Sequence, residues 1–187
     1  MPLSPDTLKE ITAQVRSGFE ERERIIEIFC EEMYEPGELD QDEVEAAVDA
    51  AIAAHESEKA SWPRVTDCDR LDSVFEALNR RGIVALQNAG YTQSDGYDDC
   101  GQAYEERTDK ERVIGYCFYH GQDLERAVAG QGLCLAFGPI DPKDEETKGP
   151  EVGRIITEEL HQAGFQTDWD GTFKTRILVP KLDWKRR

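Results

Sequence analysis

The stretch of this chain with the greatest capacity for chemistry is residues 113–123, where an apolar run leads directly into His120, Gly121, Gln122 and Asp123. A histidine can act as an acid or a base near neutral pH, and a carboxylate three residues later can orient its ring. A simpler hypothesis, which single histidines more often satisfy, makes His120 a helix cap and Asp123 an acid that favours the helix dipole.

A second polar segment, residues 88–99, follows a predicted strand over residues 83–86. If this strand runs parallel to the one that ends at His120, both carboxyl ends lie on the edge where open α/β sheets bind ligands. Asp95 has an alternative role, since Asp95 and Ser94 can cap the next helix. The candidate site residues are His120, Asp123 and Asp95 for catalysis and Asn88, Tyr91, Thr92 and Gln122 for ligand binding.

The other reactive side chains do not complete a recognised set. Cys117 and His120 lie on opposite faces of a strand, so we expect Cys117 to be a core thiol and not an activated nucleophile. The aspartates of residues 95–99 lack calcium-loop spacing, and the histidines and cysteines lack zinc-ligand pairs. No glycine-rich loop opens a helix as phosphate binding requires. We predict no metal and no cofactor, and the sequence leaves enzymatic activity open.

The first 60 residues predict helices. Ser4, Pro5 and Asp6 form a helix start, and a capping arrangement at Asp40 and Glu43 begins another helix. The apolar face of that second helix is rich in alanine and contributes little buried area per residue. We therefore expect this region to pack on the rest of the chain or on a second copy, which makes a homodimer one hypothesis.

From residue 61 onward, predicted strands alternate with predicted helices. Strands are predicted over residues 83–86, 113–119 and 133–137, an exposed loop over 141–150, a helix from Pro150 to Gly164, and a hairpin of 165–169 and 173–179 around Asp170-Gly171. The order predicts an α+β fold in which helices cover a mixed sheet of about five strands. We divide the chain into an acidic helical region, 1–60, and an α+β domain, 61–187.

The charge of the chain restricts its partners. The net charge is −18, and residues 1–60 alone contain 17 acids and 5 bases. Such a surface repels phosphate backbones and anionic lipids, so we expect neither nucleic acid nor membrane as a partner. It attracts a basic protein, although acidic helix faces often serve solubility alone. Five scattered cysteines and the lack of a signal sequence or membrane span predict a cytoplasmic protein with reduced thiols.

Several segments carry a family resemblance. They are Trp62-Pro63, Leu71-Asp72, residues 82–92, residues 116–123 and Trp169-Asp170-Gly171-Thr172. Together they resemble a bacterial family of hypothetical proteins whose domain has no assigned function. The resemblance covers most of residues 60–187. It implies a bacterial, cytoplasmic protein and supplies no catalytic residues.

Two functional hypotheses follow. The first is an accessory protein that binds a basic protein partner through its acidic surface, because the acids are unevenly distributed and no catalytic set is complete. The alternative is a small enzyme or ligand-binding module whose pocket joins the 88–99 segment to His120 and Asp123. In that alternative His120 acts as the acid or base.

Overall fold

The structure, a computed structural model that describes residues 2–187, contains two compact units. Unit 1 comprises the residues up to Thr66 together with Trp184–Arg187, and unit 2 comprises Asp67–Asp183. Unit 1 is helical, whereas unit 2 contains the sheet. No helix in residues 2–187 is long and apolar enough to cross a membrane.

Unit 1 is built from three helices: α1 (Pro5–Ser17), α2 (Arg22–Glu27), which continues into a π-helical turn (Ile28–Glu32), and α3 (Gln41–Lys59). Ser4 caps α1 as expected, because its hydroxyl accepts a hydrogen bond from the Thr7 amide at 3.0 Å. The core of the unit consists of buried aliphatic and aromatic side chains: Ile11, Val15, Ile25, Ile26, Phe29, Val44 and Val48.

Helix α3 uses its valines to pack within unit 1. Val44 and Val48 are fully buried, while Ala46, Ala50 and Ala53 are exposed. The helix therefore has partners within its own unit. The homodimer stays a prediction.

Unit 2 contains four helices and four strands. The helices are α4 (Asp67–Arg80), α5 (Gln93–Glu106), α6 (Gly121–Val128) and α7 (Glu145–Gln162), and the strands are β1 (Ile83–Leu86), β2 (Gly115–Phe118), β3 (Leu133–Pro139) and β4 (Ile177–Val179). The strand order is β1-β2-β3-β4, with β1 parallel to β2 and the other neighbours antiparallel. The fold is thus α+β with a mixed sheet, as predicted, although the sheet has four strands and not about five.

Helices cover both faces of this sheet. The rings of Phe75 in α4 and Tyr119 after β2 meet edge to face, which places α4 against the face that carries Tyr119. On the opposite face α5 packs closely on β2, since a Cβ atom added at Gly96 would lie 2.2 Å from the Phe118 ring. Glycine at position 96 therefore permits this close approach, which explains why a glycine lies inside α5.

The carboxyl ends of β1 and β2 share one edge of the sheet. Leu86 lies opposite Phe118 in the parallel register. Backbone pairing continues past both strands, because the Ala89 amide donates to the Tyr119 carbonyl and the Gly121 amide donates to the Gly90 carbonyl, each at 2.9 Å. The two segments that the sequence singled out for chemistry are therefore neighbours.

The predicted hairpin around Asp170 is reduced to one bridge. Asp168 and Leu178 exchange backbone hydrogen bonds of 2.8 and 3.0 Å, while β4 pairs with β3. Residues between them form a wide loop, because Asp170 Oδ1 accepts hydrogen bonds from the Thr172 amide, the Thr172 hydroxyl and the Thr175 hydroxyl. These side-chain hydrogen bonds take the place of the backbone hydrogen bonds that would pair the two strands of a tight hairpin.

Two helices begin earlier than the sequence predicted. Helix α7 starts at Glu145, so Pro150 lies inside it and the predicted loop over 141–150 is largely helical. Helix α5 starts at Gln93, inside the polar segment 88–99 and ahead of the caps offered by Ser94 and Asp95. A capping box explains the early start of α5: the Thr92 hydroxyl accepts from the Asp95 amide at 3.4 Å and Asp95 Oδ2 accepts from the Thr92 amide at 2.8 Å.

Candidate functional site

A cluster of three ionisable side chains, two of them buried, lies at the carboxyl edge of β2. His120 Nε2 lies 3.0 Å from Asp123 Oδ2. The same carboxylate oxygen accepts a hydrogen bond from Nη2 of Arg176, which also donates to the Cys134 carbonyl at 3.1 Å. We call His120, Asp123 and Arg176 the edge triad.

Strand order brings the edge triad together. Phe118 pairs with Ala136 of β3, and Cys134 of β3 pairs with Leu178 of β4. Side chains alternate along each strand, so His120, two residues after Phe118, and Arg176, two residues before Leu178, project from the same face. Asp123 reaches them from the first turn of α6, for which His120 is the N-cap residue.

Two members of the edge triad, His120 and Asp123, are shielded from solvent. The side chains of His120 and Asp123 are 5% and 4% exposed, and that of Arg176 is 32% exposed. Burial is the largest effect on His120 and lowers its pKa. Asp123 acts in the opposite direction and Arg176 in the same direction. His120 is therefore neutral at pH 7, and the two charges of the triad are those of Asp123 and Arg176.

Two nitrogen atoms of the triad are buried without hydrogen-bond partners: Nδ1 of His120 and Nε of Arg176. Because His120 is neutral and Nε2 donates its proton to Asp123, Nδ1 carries a lone pair and is an acceptor. Nε of Arg176 always carries a proton and is a donor. An unsatisfied buried polar group costs about 1–3 kcal/mol, so both atoms are chemically available to a group that can pair with them.

The candidate ligand residues lie at the same carboxyl edge of the sheet and differ in exposure. Asn88 is half-buried and has a φ of +50°, a left-handed conformation that costs free energy in a residue other than glycine. Gln122 is exposed, and its backbone N–H donates to the backbone carbonyl of Tyr91 at 3.2 Å. Tyr91 is 55% exposed, and its hydroxyl donates to Glu125 at 3.1 Å.

Thr92 and Asp95 have structural roles in the structure, because they form the capping box of α5. Hydrogen bonds from Thr92 lower the pKa of Asp95. Asp95 is exposed, whereas His120 is buried. Asp95 therefore caps α5 at the surface, whereas His120 lies in the interior of the same edge.

A second polar chain lies on the other face of this edge. The hydroxyl of Tyr119, a fully buried residue, donates to Gln87 Oε1 at 3.1 Å, and Gln87 Nε2 donates to Asp72 at 2.8 Å. These bonds connect α4 to the ends of β1 and β2. The carboxyl edge is therefore fixed by polar contacts on both faces of the sheet.

The cysteines occupy apolar surroundings. Burial raises the pKa of the Cys117 thiol and raises that of Cys100 to about 12, so both are protonated at neutral pH. All five cysteines are free thiols. Within residues 2–187, no group of three or more His, Cys, Asp or Glu side chains is placed to hold a metal ion.

Sequence reasoning missed Arg176. Local pattern identifies Arg176 only as part of the last predicted strand. Its position near His120 depends on the order of β2, β3 and β4, which the sequence does not specify. One signal was present: alternation places Arg176 on the face opposite to the buried Ile177 and Val179, where a lone base beside an apolar strand needs a counter-ion.

The distribution of charge changes when it is counted by compact unit. Unit 1 carries 17 acids and 9 bases, a net −8, because the basic tail joins it, and unit 2 carries 23 acids and 13 bases, a net −10. The excess of acid is thus shared between both units and is not concentrated in the first.

Comparison with known proteins gives a family and no function. No curated protein and no solved structure matches the chain. A family model described as a domain of unknown function, DUF6891, matches residues 4–187 and so covers both units and the whole edge triad. The chain therefore belongs to the DUF6891 family.

Proposed function

We propose that this protein binds a small polar ligand at the carboxyl edge of β1 and β2, against the edge triad. The observation that carries the proposal is the pair of unpartnered buried nitrogens, Nδ1 of His120 and Nε of Arg176, in two side chains that contact the same Asp123 oxygen. Ligand sites in α/β sheets commonly lie at this edge, and buried titratable groups with perturbed pKa values are frequent there.

The chemistry of the two atoms defines the ligand class. Nδ1 of His120 accepts a hydrogen bond, so it pairs with a hydroxyl or an amine, while Nε of Arg176 pairs with an oxygen. The charges of Asp123 and Arg176 compensate each other, so an uncharged ligand such as a polyol or a nucleoside is favoured over a strong ion. A reaction at this site would use Nδ1 of His120 as the base.

Tyr91 is the side chain through which we expect a ligand to gain access. Its ring covers Gly121, where an added Cβ atom would lie 2.7 Å from Cδ2 of the tyrosine. Tyr91 is more than half exposed, and its hydroxyl donates to an exposed glutamate, Glu125, at 3.1 Å. Rotation of Tyr91 toward solvent would uncover Gly121, the residue next to His120.

Thermal unfolding in the presence of defined ligands tests the proposal. The full chain is screened against polyols and nucleosides, because a ligand that binds only the folded state at a hundred times its Kd stabilises by about 2.7 kcal/mol. We expect at least one class to raise Tm in the wild type and not in His120→Phe. His161→Phe, which changes an exposed histidine of α7, is the matched control. A shift that persists in His120→Phe contradicts the proposal, as does no shift in any class.

A second candidate function is the binding of a basic protein partner through the acidic surface. The net charge of −18 supports it, and so does the presence of excess acid in both units. Glu10, Glu31 and Asp42 are exposed acids of unit 1. Capture of a basic protein at low salt should weaken at high salt and in the charge-neutralised variant E10Q/E31Q/D42N. Cytoplasmic location, bacterial origin and a homodimer stay predictions of the sequence.

A further inference from the structure

The last four residues of the chain are held by the helices of unit 1. The Trp184 indole Nε1 donates to the Arg16 and Ser17 carbonyls at 3.1 and 3.3 Å. These carbonyls belong to the last turn of α1, where backbone acceptors have no partner inside the helix. Trp184 therefore acts as a side-chain cap for the C-terminus of α1.

The two final arginines extend this contact across unit 1. The Arg186 guanidinium lies 4.3 Å from the ring centroid of Phe19, and its stem covers Gly18, where an added Cβ would lie 2.9 Å away. Arg187 donates to the Pro63 carbonyl at 2.6 Å. Cation–π pairs of this kind contribute about 0.5–1 kcal/mol each at exposed sites.

His55 of α3 binds the backbone of the same segment. Its Nε2 lies 3.2 Å from the Arg186 carbonyl, and its ring meets Trp62 edge to face at 5.2 Å. Residues 16–19, His55 and the Trp62-Pro63 turn together form what we call the tail-binding surface. It contacts the backbone as well as the side chains of its occupant, which is how proteins recognise a peptide.

The charges of the occupant and of unit 1 are complementary. The tail carries three bases and no acid, whereas the remainder of unit 1 carries 17 acids and 6 bases, a net −11. The aromatic ring of Phe19 contacts the Arg186 guanidinium. The α1 carbonyls accept hydrogen bonds from the Trp184 indole. Both the charge and the specific contacts thus favour one kind of ligand.

We propose that the tail-binding surface is a peptide-recognition site for a basic segment of the Trp-Lys-Arg-Arg type, which the chain fills with its own residues 184–187. A partner protein that carries such a segment competes with the tail for the same contacts. The proposal gives the basic partner of the second candidate function a definite chemistry. It is independent of the ligand proposed for unit 2.

The tail of the chain competes with any free peptide for this surface. A segment tethered to its own site has an effective concentration on the order of mM. A free peptide with a Kd on the order of 0.1 mM for the open surface must therefore overcome roughly tenfold competition in the intact chain. Disabling the tail should remove that competition.

A titration with a labelled pentapeptide tests the proposal. The probe is Asp-Trp-Lys-Arg-Arg, which reproduces residues 183–187, and fluorescence anisotropy reports its binding to the full chain. We expect the peptide to bind Trp184→Ala at least about tenfold more tightly than the wild type. Lys181→Ala, which removes one positive charge from unit 2, should behave as the wild type.

Further variants separate recognition from simple charge attraction. Adding Phe19→Ala to the Trp184→Ala chain should weaken the peptide several-fold, and the peptide Asp-Ala-Lys-Arg-Arg should bind no variant measurably. Arg186→Ala, which keeps the Trp184 cap of α1, provides a tail variant that folds if Trp184→Ala does not; circular dichroism checks both.

Equal weak binding to the wild type and to both tail variants overturns the proposal, as does equal binding of the two peptides. Either result makes the tail a structural part of unit 1 only. A salt-sensitive partner that binds without affecting the peptide titration would support the second candidate function and contradict this surface as its site. The two proposals therefore fail separately.

Discussion

The two buried histidines of this protein, His55 in unit 1 and His120 in unit 2, share many properties and differ in one. Their residues are 7% and 4% exposed, burial is the main cause that lowers the pKa of each, and each has a buried Nδ1 without a partner. The difference is the group at Nε2. His55 meets a neutral backbone carbonyl, whereas His120 meets the carboxylate of Asp123.

This difference shows how the same residue serves two kinds of site. A backbone carbonyl requires no counter-charge, so the His55 contact can be made and broken with the C-terminal tail at modest cost. A buried carboxylate requires compensation, so His120 belongs to a network that also includes Arg176 and the Cys134 carbonyl. We therefore expect a rigid edge in unit 2 and an exchangeable contact in unit 1.

Removing the carboxylate should have the largest effect. Asp123→Ala leaves the Arg176 guanidinium without its counter-ion and His120 Nε2 without its acceptor, and breaking a buried ion pair in this way costs about 3–5 kcal/mol. Urea unfolding followed by circular dichroism measures the loss. Glu125→Ala, which removes an exposed carboxylate from the same helix, should cost less than about 1 kcal/mol. Similar losses in the two variants would mean that the triad contributes no special stability.

Deleting Trp184–Arg187 should have a smaller and local effect. The deletion removes the cap of α1, the cation–π pair with Phe19 and the partner of His55, which together are worth about 2–3 kcal/mol. Hydrogen exchange should accelerate in α1 and α3 and remain unchanged in β2 and β3. Uniform acceleration in both units would contradict a contact confined to unit 1.

Acidification should destabilise both sites in the same direction. The pKa of His55 and that of His120 are both lowered by folding, so below about pH 6.5 the unfolded chain binds more protons than the folded chain. Stability is therefore complete near pH 7 and falls as the pH decreases. Urea unfolding at pH 7, 6 and 5 should give a shallower decrease for His55→Gln and for His120→Gln than for the wild type. A slope that neither variant changes would assign the acid sensitivity to carboxylates alone.

The smallest expected effect concerns which ring nitrogen of His55 and of His120 carries the proton. Both rings should be neutral at pH 7 with the proton on Nε2, because a carbonyl and a carboxylate are both acceptors there. Nitrogen-15 NMR of the imidazole rings reports the tautomer directly. Asp123→Asn should change the signals of His120 and leave those of His55 unchanged. A proton on Nδ1 of His120 would remove the acceptor on which the ligand proposal depends.

Much of unit 2 was predictable from local pattern. The apolar runs placed β1, β2 and β3, and the position of His120 at the end of a buried strand next to Asp123 followed from sequence spacing. The parallel arrangement of β1 and β2, which the sequence offered only as a condition, is confirmed. The start of α7 was predicted wrongly because proline at position 150 resembled a first helical residue, and the hairpin was predicted wrongly because the side-chain bonds of Asp170 override its turn preference.

The sequence by itself determined where most of the helices and strands lie and the closeness of His120 to Asp123, because these depend on residues a few positions apart. Only the tertiary structure decided that Arg176 completes the edge triad and that Trp184 to Arg187 return to unit 1. Both contacts join residues more than 50 positions apart, and what selects them is strand order and burial. Such pairing is decided by the free energy of the whole packed chain and not by any local preference.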